Sequence, residues 1–194
     1  MRHIPKENGI LLTFDDGPDA NVTPAVLDLL RHYEAKAIFF ICGRRIENAP
    51  ELLAQIVAEG HVLGNHSFIH CNDKDPGRKE YTEDLKKCNE EIAQYVNEPV
   101  KLFRAPKGSL GWAPLLASRK VGLRYVHWSV SVEDWELRDC EESKRRGEIL
   151  VQQTKPGNIV LLHDDNPCVL EILKIALPAW KEKGWALNQW DIHV

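Results

Sequence analysis

The sequence lacks the features that mark several large classes of protein. Its five cysteines are an odd number at irregular spacings, without a CxxC pair, so a reducing compartment suits the chain better than a disulfide framework. Lysine and arginine are scattered and the formal net charge is -4, which leaves no basic stripe for nucleic acid. No apolar run approaches the length of a membrane span, and the opening residues MRHIPKENG lack the apolar stretch of a signal peptide. We therefore expect a cytoplasmic protein with neither a nucleic-acid partner nor a membrane span.

The length and composition of the chain are those of one ordinary globular domain. Its 194 residues are 43% hydrophobic, which is enough to bury a sizeable core. No internal repeat, low-complexity tract or linker interrupts them. We predict a single domain over residues 1–194.

Short apolar runs alternate with segments of helical period along the chain. The predicted strands cover residues 10–14, 37–41, 61–64, 101–103, 125–130, 159–162 and 185–189. The predicted helices cover residues 24–34, 50–59, 82–96, 113–120, 142–154 and 169–183. Because the connections are too long for hairpins, we expect parallel strands joined by crossover helices. Periodicity leaves open whether the strands form a doubly wound sheet or a closed barrel.

The polar clusters of the sequence all follow predicted strands. They are Asp15-Asp16, the segment 66–70, Arg104, the segment 131–135 and His163-Asp164. Both candidate architectures place their chemistry at the carboxyl ends of the strands. We therefore expect these clusters to meet at one end of the fold.

Two adjacent carboxylates and two nearby histidines suggest a metal site. In the run TFDDGP, Asp15 and Asp16 repel each other unless a cation or a donor neutralises them, although the same residue types favour a plain solvated turn. In the run HSFIH, His66 and His70 can reach one metal if the chain turns between them, and a surface or core role is the alternative. No Glu follows His66, so the helical zinc-protease pattern fails. Together, two imidazoles and one carboxylate leave an open position for water, which is the composition of a catalytic metal site.

Arg104 and His163 are candidates for acid–base chemistry. Arg104 begins the run RAPKG and would keep Asp15 ionised if the two lay side by side, an arrangement that a purely structural salt bridge would also satisfy. His163 follows a buried strand and titrates near working pH, which suits a general acid. A hydrogen-bonded core histidine is the competing interpretation.

These segments resemble, in order, the motifs of the polysaccharide deacetylase family, also called the NodB-homology domain or carbohydrate esterase family 4. The run TFDDGP matches the first motif over its full length, and HSFIH fits the pattern His-Ser/Thr-x-x-His of the second. RAPKG resembles the third motif, and Leu161-Leu162-His163 resembles the fifth. The resemblance covers about residues 10 to 190.

The resemblance implies an α/β fold, a distorted (β/α) barrel with seven or eight strands, and a role for each matching residue. Asp15 resembles the catalytic base and His163 the general acid, while Arg104 resembles the residue that orients the base. The metal ligands implied are Asp16, His66 and His70, for a divalent ion that is expected to be Zn²⁺, with Co²⁺, Ni²⁺, Mn²⁺ and Fe²⁺ also admitted by such a site. The substrate pocket implied includes the Lys107 backbone N–H at the oxyanion and the side chains of Trp135 and Leu161 around the acetyl methyl group.

The fourth motif departs from the family pattern. The family shows Asp-x-x-Asp-Trp, whereas this chain has Ser131 at the first position, followed by Val-Glu-Asp-Trp. In the resemblance, the first Asp pairs with the acid histidine and raises its pKa, and Ser131 offers no such charge. We therefore expect either that His163 is less readily protonated or that Glu133, Asp134 or Asp164 takes over the pairing.

The function implied is metal-dependent removal of the acetyl group from an N-acetylated sugar, an oligosaccharide or polysaccharide, to give an amine and acetate. Two alternatives remain. The replacement at Ser131 is compatible with a carbohydrate-binding homologue that has little or no turnover. The lack of an export signal is compatible with an N-deacylase or deformylase of a small or lipid-linked amide.

Overall fold

A computed structural model describes residues 8–70 and 77–189 of the chain, and these residues form an α/β fold. The strands are β1 (Leu11–Asp15), β2 (Ala37–Ile41), β3 (Val62–Asn65), β4 (Leu102–Phe103), β5 (Arg124–Tyr125), β6 (Val130–Ser131) and β7 (Ile159–His163). The α-helices are α1 (Thr23–His32), α2 (Pro50–Ala58), α3 (Arg78–Ile92), α4 (Trp112–Lys120), α5 (Cys140–Gln153) and α6 (Val169–Glu182). Short 3₁₀ turns cover Gly43–Asn48, Pro106–Gly108 and Asp134–Glu136.

The strands form one seven-stranded sheet with the order β5-β4-β3-β2-β1-β7-β6. Every pairing in it is parallel. The central strands β1, β2 and β7 are buried at every residue, which is why they appear in the sequence as continuous apolar runs rather than alternating ones. The main core lies where the helices cover this sheet.

The sheet is curled into a distorted barrel. Strands β5 and β6 lie at opposite edges of the sheet, yet only the four residues 126–129 connect them. A flat sheet of this size would separate its edge strands by about 29 Å at roughly 4.8 Å per strand, whereas five residue steps reach at most about 18 Å. The edges must therefore approach each other. This arrangement confirms the predicted barrel.

The connection 126–129 corrects the strand predicted for residues 125–130. Its backbone leaves one edge, where the Val126 N–H donates to Phe103 O (2.8 Å), and reaches the other, where the Ser129 N–H donates to Ile159 O (3.0 Å). The local run is rich in aromatic and β-branched residues, as strands are, so its pattern could not show that it crosses between two edges. The single predicted strand is in fact β5 and β6.

The strand predicted for residues 185–189 is also wrong. This segment forms only an isolated parallel bridge between Ala186 and Gly9. Its remaining main-chain contacts are dispersed, for example from the Lys36 N–H to Leu187 O (2.8 Å). It lies beside the residues that precede β1 and does not continue as a strand of the sheet.

Helix α3 begins four residues earlier than predicted. Thr82, expected near its start, lies inside the helix and donates its hydroxyl to Arg78 O (2.7 Å). Tyr81, Leu85, Cys88 and Ile92 are buried at helical spacing, so the core-facing side of the helix sets its extent. Among the described residues, no helix is long and apolar enough to cross a bilayer.

Candidate active site

A pocket of about 420 Å³ opens at the carboxyl ends of the strands. Most of its lining comes from the predicted polar clusters, and the rest comes from the loop after β4, the connection 126–129 and β7. The lining residues are Asp15, Asp16, His66, His70, Lys107, Gly108, Trp128, Trp135, Leu161 and His163. Of the sequence-predicted site residues, only Arg104 does not line the pocket, because it lies beneath it and reaches it through Asp15. The clusters thus meet at one end of the barrel.

Side-chain atoms of Asp16, His66 and His70 converge on one point, the candidate metal point. The Oδ1 atom of Asp16 lies 3.3 Å from His66 Nε2 and 3.0 Å from His70 Nε2. The three candidate ligand atoms all lie within 4.8 Å of one another. Burial opposes ionisation of Asp16, but the hydrogen bonds and positive charge of His66 and His70 in their protonated forms outweigh it and hold the pKa of this carboxyl well below its usual range. The carboxylate is therefore charged and aimed at both rings.

The hydrogen bonding around His66 fits a metal ligand. Its Nδ1 lies 2.9 Å from Arg104 O, and because a carbonyl can only accept, Nδ1 carries the proton and Nε2 of the neutral ring presents a lone pair. That lone pair faces Asp16 Oδ1, a buried oxygen that accepts no hydrogen bond of standard geometry from the described residues. In this neutral form acceptor faces acceptor, and either of two things stabilises the contact. One is protonation of the ring, which burial opposes, although Asp15 and Asp16 raise the pKa of the ring; the other is a cation between the two atoms. The donor set of two imidazoles and one carboxylate suits zinc and related divalent ions.

The loop that carries both histidines is anchored by residues that the motifs did not indicate. Asp84 on α3 accepts from the backbone N–H groups of Phe68 (2.8 Å) and Ile69 (3.1 Å). Asn65, the last residue of β3, accepts from the Ser67 N–H (2.7 Å). Because the loop is tied to a strand at one end and to a helix at its middle, His66 and His70 face the same point without forming a helix between them.

The loop that carries Asp16 is closely packed against Asp164. The Asp164 carboxyl is fully buried and accepts a hydrogen bond from Thr23 Oγ1 (2.6 Å). A Cβ atom added at Gly17 would lie 2.3 Å from Asp164 Oδ2, so only glycine fits between the metal-site residue and this carboxyl. Burial raises the pKa of Asp164 to about 7. Asp164 therefore supports the metal loop and does not pair with His163.

Asp15 and Arg104 form a buried ion pair beside the metal point. Arg104 Nη1 donates to Asp15 Oδ1 (2.8 Å) and to Thr13 Oγ1 (2.8 Å), and the guanidinium lies over the Phe40 ring at 4.3 Å. The second oxygen of Asp15 lies 3.7 Å from His66 Nε2. One oxygen of Asp15 is thus held by the arginine, and the other is presented toward the metal point, where a bound water would sit.

Asp134 is the partner of His163. Its Oδ1 lies 3.0 Å from His163 Nδ1, and its Oδ2 accepts from the His163 backbone N–H (2.7 Å). Burial disfavours the imidazolium, but the hydrogen bond and charge of Asp134, with smaller contributions from Asp15 and Asp16, raise the pKa of His163 to about 9. Of the two outcomes expected from the replacement at Ser131, the structure therefore favours the one in which Asp134 takes over the pairing, and His163 is not less readily protonated.

The geometry of the fourth motif explains why Ser131 is not needed. Ser131 lies at the end of β6, and its Oγ accepts within its own turn, from the Glu133 N–H at 3.4 Å. Glu133 adopts a left-handed conformation with φ of 53°, which turns the chain so that Asp134 lies beneath β7. The retained Asp-Trp pair of the motif was the signal that could have identified this partner.

The remaining walls of the pocket are apolar or backbone. Leu161 is buried, and the Trp135 ring lies edge-on to His163 with 5.1 Å between centroids. Trp128, which the sequence did not single out, completes the wall from the connection between β5 and β6. An added Cβ at Gly108 would lie 2.3 Å from the Trp128 ring, so the glycine after Lys107 lets the loop and the ring meet.

The fold and the site define a class of protein: a (β/α) barrel with a candidate two-histidine, one-aspartate metal centre flanked by a buried Asp–Arg pair and a buried Asp–His pair. A sequence model described as polysaccharide deacetylase matches residues 2–126. The chain therefore belongs to the polysaccharide deacetylase family. This membership confirms the predicted resemblance and the predicted class of enzyme, a hydrolase of linear amides.

Curated relatives match nearly the whole chain. A chitooligosaccharide deacetylase of Azorhizobium caulinodans is 35% identical over 204 aligned residues, covering 96% of this chain and 95% of the relative. A peptidoglycan-N-acetylglucosamine deacetylase of Bacillus cereus is 36% identical, covering 92% of this chain and 84% of the relative.

Solved structures share the fold over almost all of the chain. The polysaccharide deacetylase Bc1974 from Bacillus cereus superposes with a TM-score of 0.86 at 28% identity, covering 95% of this chain and 93% of that one. A pseudoenzyme of carbohydrate esterase family 4 from Bacillus anthracis superposes with a TM-score of 0.83 at 26% identity, covering 95% of this chain and 64% of that one.

The family match does not establish turnover, and it does not cover all of the candidate site residues. The family includes a pseudoenzyme, so membership alone does not establish turnover. The family match also ends at residue 126, before Asp134, Trp135, Leu161 and His163. The acid side of the site therefore depends on the contacts described above.

Proposed function

We propose that the protein is a metal-dependent N-deacetylase that hydrolyses the acetamide of an N-acetylated sugar to an amine and acetate. The observation that carries the proposal is the meeting, in one pocket, of the metal point with the two buried pairs Asp15–Arg104 and Asp134–His163. The relatives named above, which act on chitooligosaccharide and on peptidoglycan N-acetylglucosamine by their names, support an amino-sugar substrate.

Asp16, His66 and His70 are the proposed ligands, and Zn²⁺ is the proposed ion. A divalent metal bound there polarises a carbonyl oxygen and lowers the pKa of a bound water to about 7.

Each remaining residue has a proposed task in the hydrolysis. Asp15, oriented by its hydrogen bond from Arg104, takes a proton from the attacking water. His163, kept protonated by Asp134, gives a proton to the departing amine. Lys107 contributes its backbone N–H to the developing oxyanion, and Leu161 and Trp135 surround the acetyl methyl group.

The proposal is tested by acetate release from N-acetylated sugars of one to four units, with purified protein supplied with Zn²⁺. We expect release by the wild type, a fall in kcat of about 10² to 10⁴-fold for Asp15→Asn with metal still bound, and loss of metal from His66→Ala and His70→Ala by elemental analysis. Asp28→Asn on the exposed surface of α1 is the matched control and is expected to behave as the wild type. Near-full activity in Asp15→Asn would show that the base is another group.

The same experiment separates the two alternatives. A carbohydrate-binding protein without turnover would bind the sugars tightly and release no acetate with any metal. A deacylase of small amides would act on a formamido sugar or a simple acetamide and leave the oligosaccharides intact. The intact base, acid and metal residues favour the deacetylase over the first alternative, since all of them share one pocket.

A further inference from the structure

The side chain of Trp128 meets two parts of the candidate active site at once. The Arg104 guanidinium lies over its ring, 5.7 Å from the ring centroid. The far edge of the same ring lies against Gly108, where an added Cβ would lie 2.3 Å from Cη2 and 2.8 Å from Cζ3. Trp128 also lines the active-site pocket. One aromatic side chain therefore joins the residue that holds Asp15 to the loop that follows β4.

The Arg104 guanidinium depends on aromatic rings because hydrogen bonds satisfy only part of it. Arg104 is fully buried, and among the described residues its Nη2 has no hydrogen-bond partner of standard geometry. Burial disfavours the charged form and lowers the pKa of Arg104, although Asp15 opposes this effect. The ring faces of Phe40, at 4.3 Å, and Trp128, at 5.7 Å, attract the cation, and cation–π attraction is strongest where water is excluded. The two rings thus add attraction to an incomplete set of hydrogen bonds.

The loop after β4 also depends on Trp128. Lys107 and Gly108 both adopt left-handed conformations, with φ of 57° and 65°, and this conformation is strained for a residue with a side chain, such as Lys107. Within the loop, the Gly108 N–H donates to Ala105 O (3.0 Å). Because the ring and the backbone are in close contact at Gly108, the ring blocks movement of this part of the loop toward the connection 126–129. Trp128 thus helps to fix the Lys107 N–H, the proposed oxyanion donor.

We infer that Trp128 is a positioning residue that holds Arg104 and the loop 106–108 at a fixed spacing. Asp15, the proposed base, ends β1, whereas the oxyanion donor follows β4, and the proposed hydrolysis requires both to face the same carbonyl group. A rigid ring in contact with Arg104 and with the loop fixes their separation, because close-packed groups transmit a displacement to their neighbours. The catalytic part of this inference rests on the proposed function.

Steady-state kinetics on Trp128→Leu and Trp128→Phe test this role. The base and the oxyanion donor act in the transition state, so we expect Trp128→Leu to lower kcat by about 10- to 100-fold with a much smaller change in KM. Trp128→Phe keeps an aromatic face and should retain more of kcat. Trp185→Leu is the matched control, because it removes another half-buried tryptophan, next to the segment that bridges to Gly9 before β1, and it should keep the wild-type kcat. A loss carried by KM alone, or an equal loss of kcat in Trp128→Leu and Trp185→Leu, overturns the inference.

Two measurements without turnover separate failure of this inference from failure of the proposed function. In urea unfolding of the metal-free protein, the combined effect of Trp128→Leu and Arg104→Met is expected to be smaller than the sum of their separate effects, since residues in contact are coupled. The effects of Trp185→Leu and Arg104→Met should be additive. By NMR, hydrogen exchange of the Gly108 N–H should be faster in Trp128→Leu than in Trp185→Leu. Coupling together with faster exchange supports the role even if the wild type releases no acetate, whereas additive effects of Trp128→Leu and Arg104→Met, or equal exchange in the two tryptophan variants, overturn it.

Discussion

At the scale of single residues, the pairing of His163 with Asp134 makes the acid side of the site testable. In Asp134→Asn the hydrogen bond and charge that raise the pKa of His163 to about 9 are weakened, so the pKa falls toward the ordinary value near 6.5. In the proposed mechanism, the protonated form of His163 is needed for departure of the amine. We therefore expect the alkaline limb of the kcat/KM profile to move to lower pH, measured by acetate release between pH 5 and 10.

Ser131→Ala is the matched control for this change. Its hydroxyl accepts a hydrogen bond from the Glu133 N–H in its own turn, so the pH profile is expected to stay where it is in the wild type. A profile moved by Ser131→Ala and left in place by Asp134→Asn would contradict the assignment.

The raised pKa of His163 also affects the free energy of unfolding. Because the pKa of His163 is higher in the folded than in the unfolded protein, its pairing contributes stability that is fully present below pH 6.5 and lost as pH rises through about 9.

Arg104 is expected to matter for stability as well as for orientation of the base. Arg104→Met leaves the buried Asp15 without its cationic partner, and breaking such a pair costs about 3 to 5 kcal/mol. Urea unfolding of the metal-free protein measures this free energy directly. Arg31→Met removes two surface pairs, with Asp28 and Glu59, and is expected to cost much less, because water screens exposed pairs. Similar losses in both variants would mean that the buried pair has no special role.

At the scale of elements, helix α3 serves the metal site although it contributes no ligand. Its Asp84 binds the backbone of the loop between the two metal histidines. In Asp84→Ala we expect zinc affinity to fall by about 10- to 100-fold, the range typical for groups that orient metal ligands, measured by competition with a chromophoric chelator. The neighbouring Glu83→Ala, an exposed residue paired with Lys86, is the control, and an equal loss in both variants would argue against the anchoring role.

At the scale of the whole molecule, metal binding should stabilise the barrel. The proposed ligands follow β1 and β3, which are separated by β2, so one ion ties together loops from non-adjacent strands. At a free zinc concentration of 100 Kd the stabilisation is about 2.7 kcal/mol, which corresponds to a rise in Tm of roughly 5–10 °C for a domain of this size. Calorimetry with and without Zn²⁺ checks this, and His66→Ala should show no shift; an equal shift in that variant would place the ion elsewhere.

The parts of the fold that were predicted are those whose signal is local. Strands β1, β2 and β7 are buried on both faces, so each appears as an uninterrupted apolar run. The run 125–130 also has the aromatic and β-branched residues of a strand, but it is divided between β5 and β6 at the two edges of the sheet. No pattern within six residues can show which strands pair with β5 and β6, because that pairing depends on the order of the whole sheet.

The site residues also divide into those that local sequence indicates and those that only the tertiary structure brings together. The sequence by itself determined the chemistry available, because Asp15 and Asp16 are adjacent and His66 and His70 lie one loop apart, so covalent spacing alone brings each pair together. The tertiary structure alone decided that Asp134 rather than Ser131 meets His163 and that Trp128 closes the pocket. The physical reason is that these contacts join segments tens of residues apart, and only the packing of the complete barrel brings such segments within hydrogen-bonding distance.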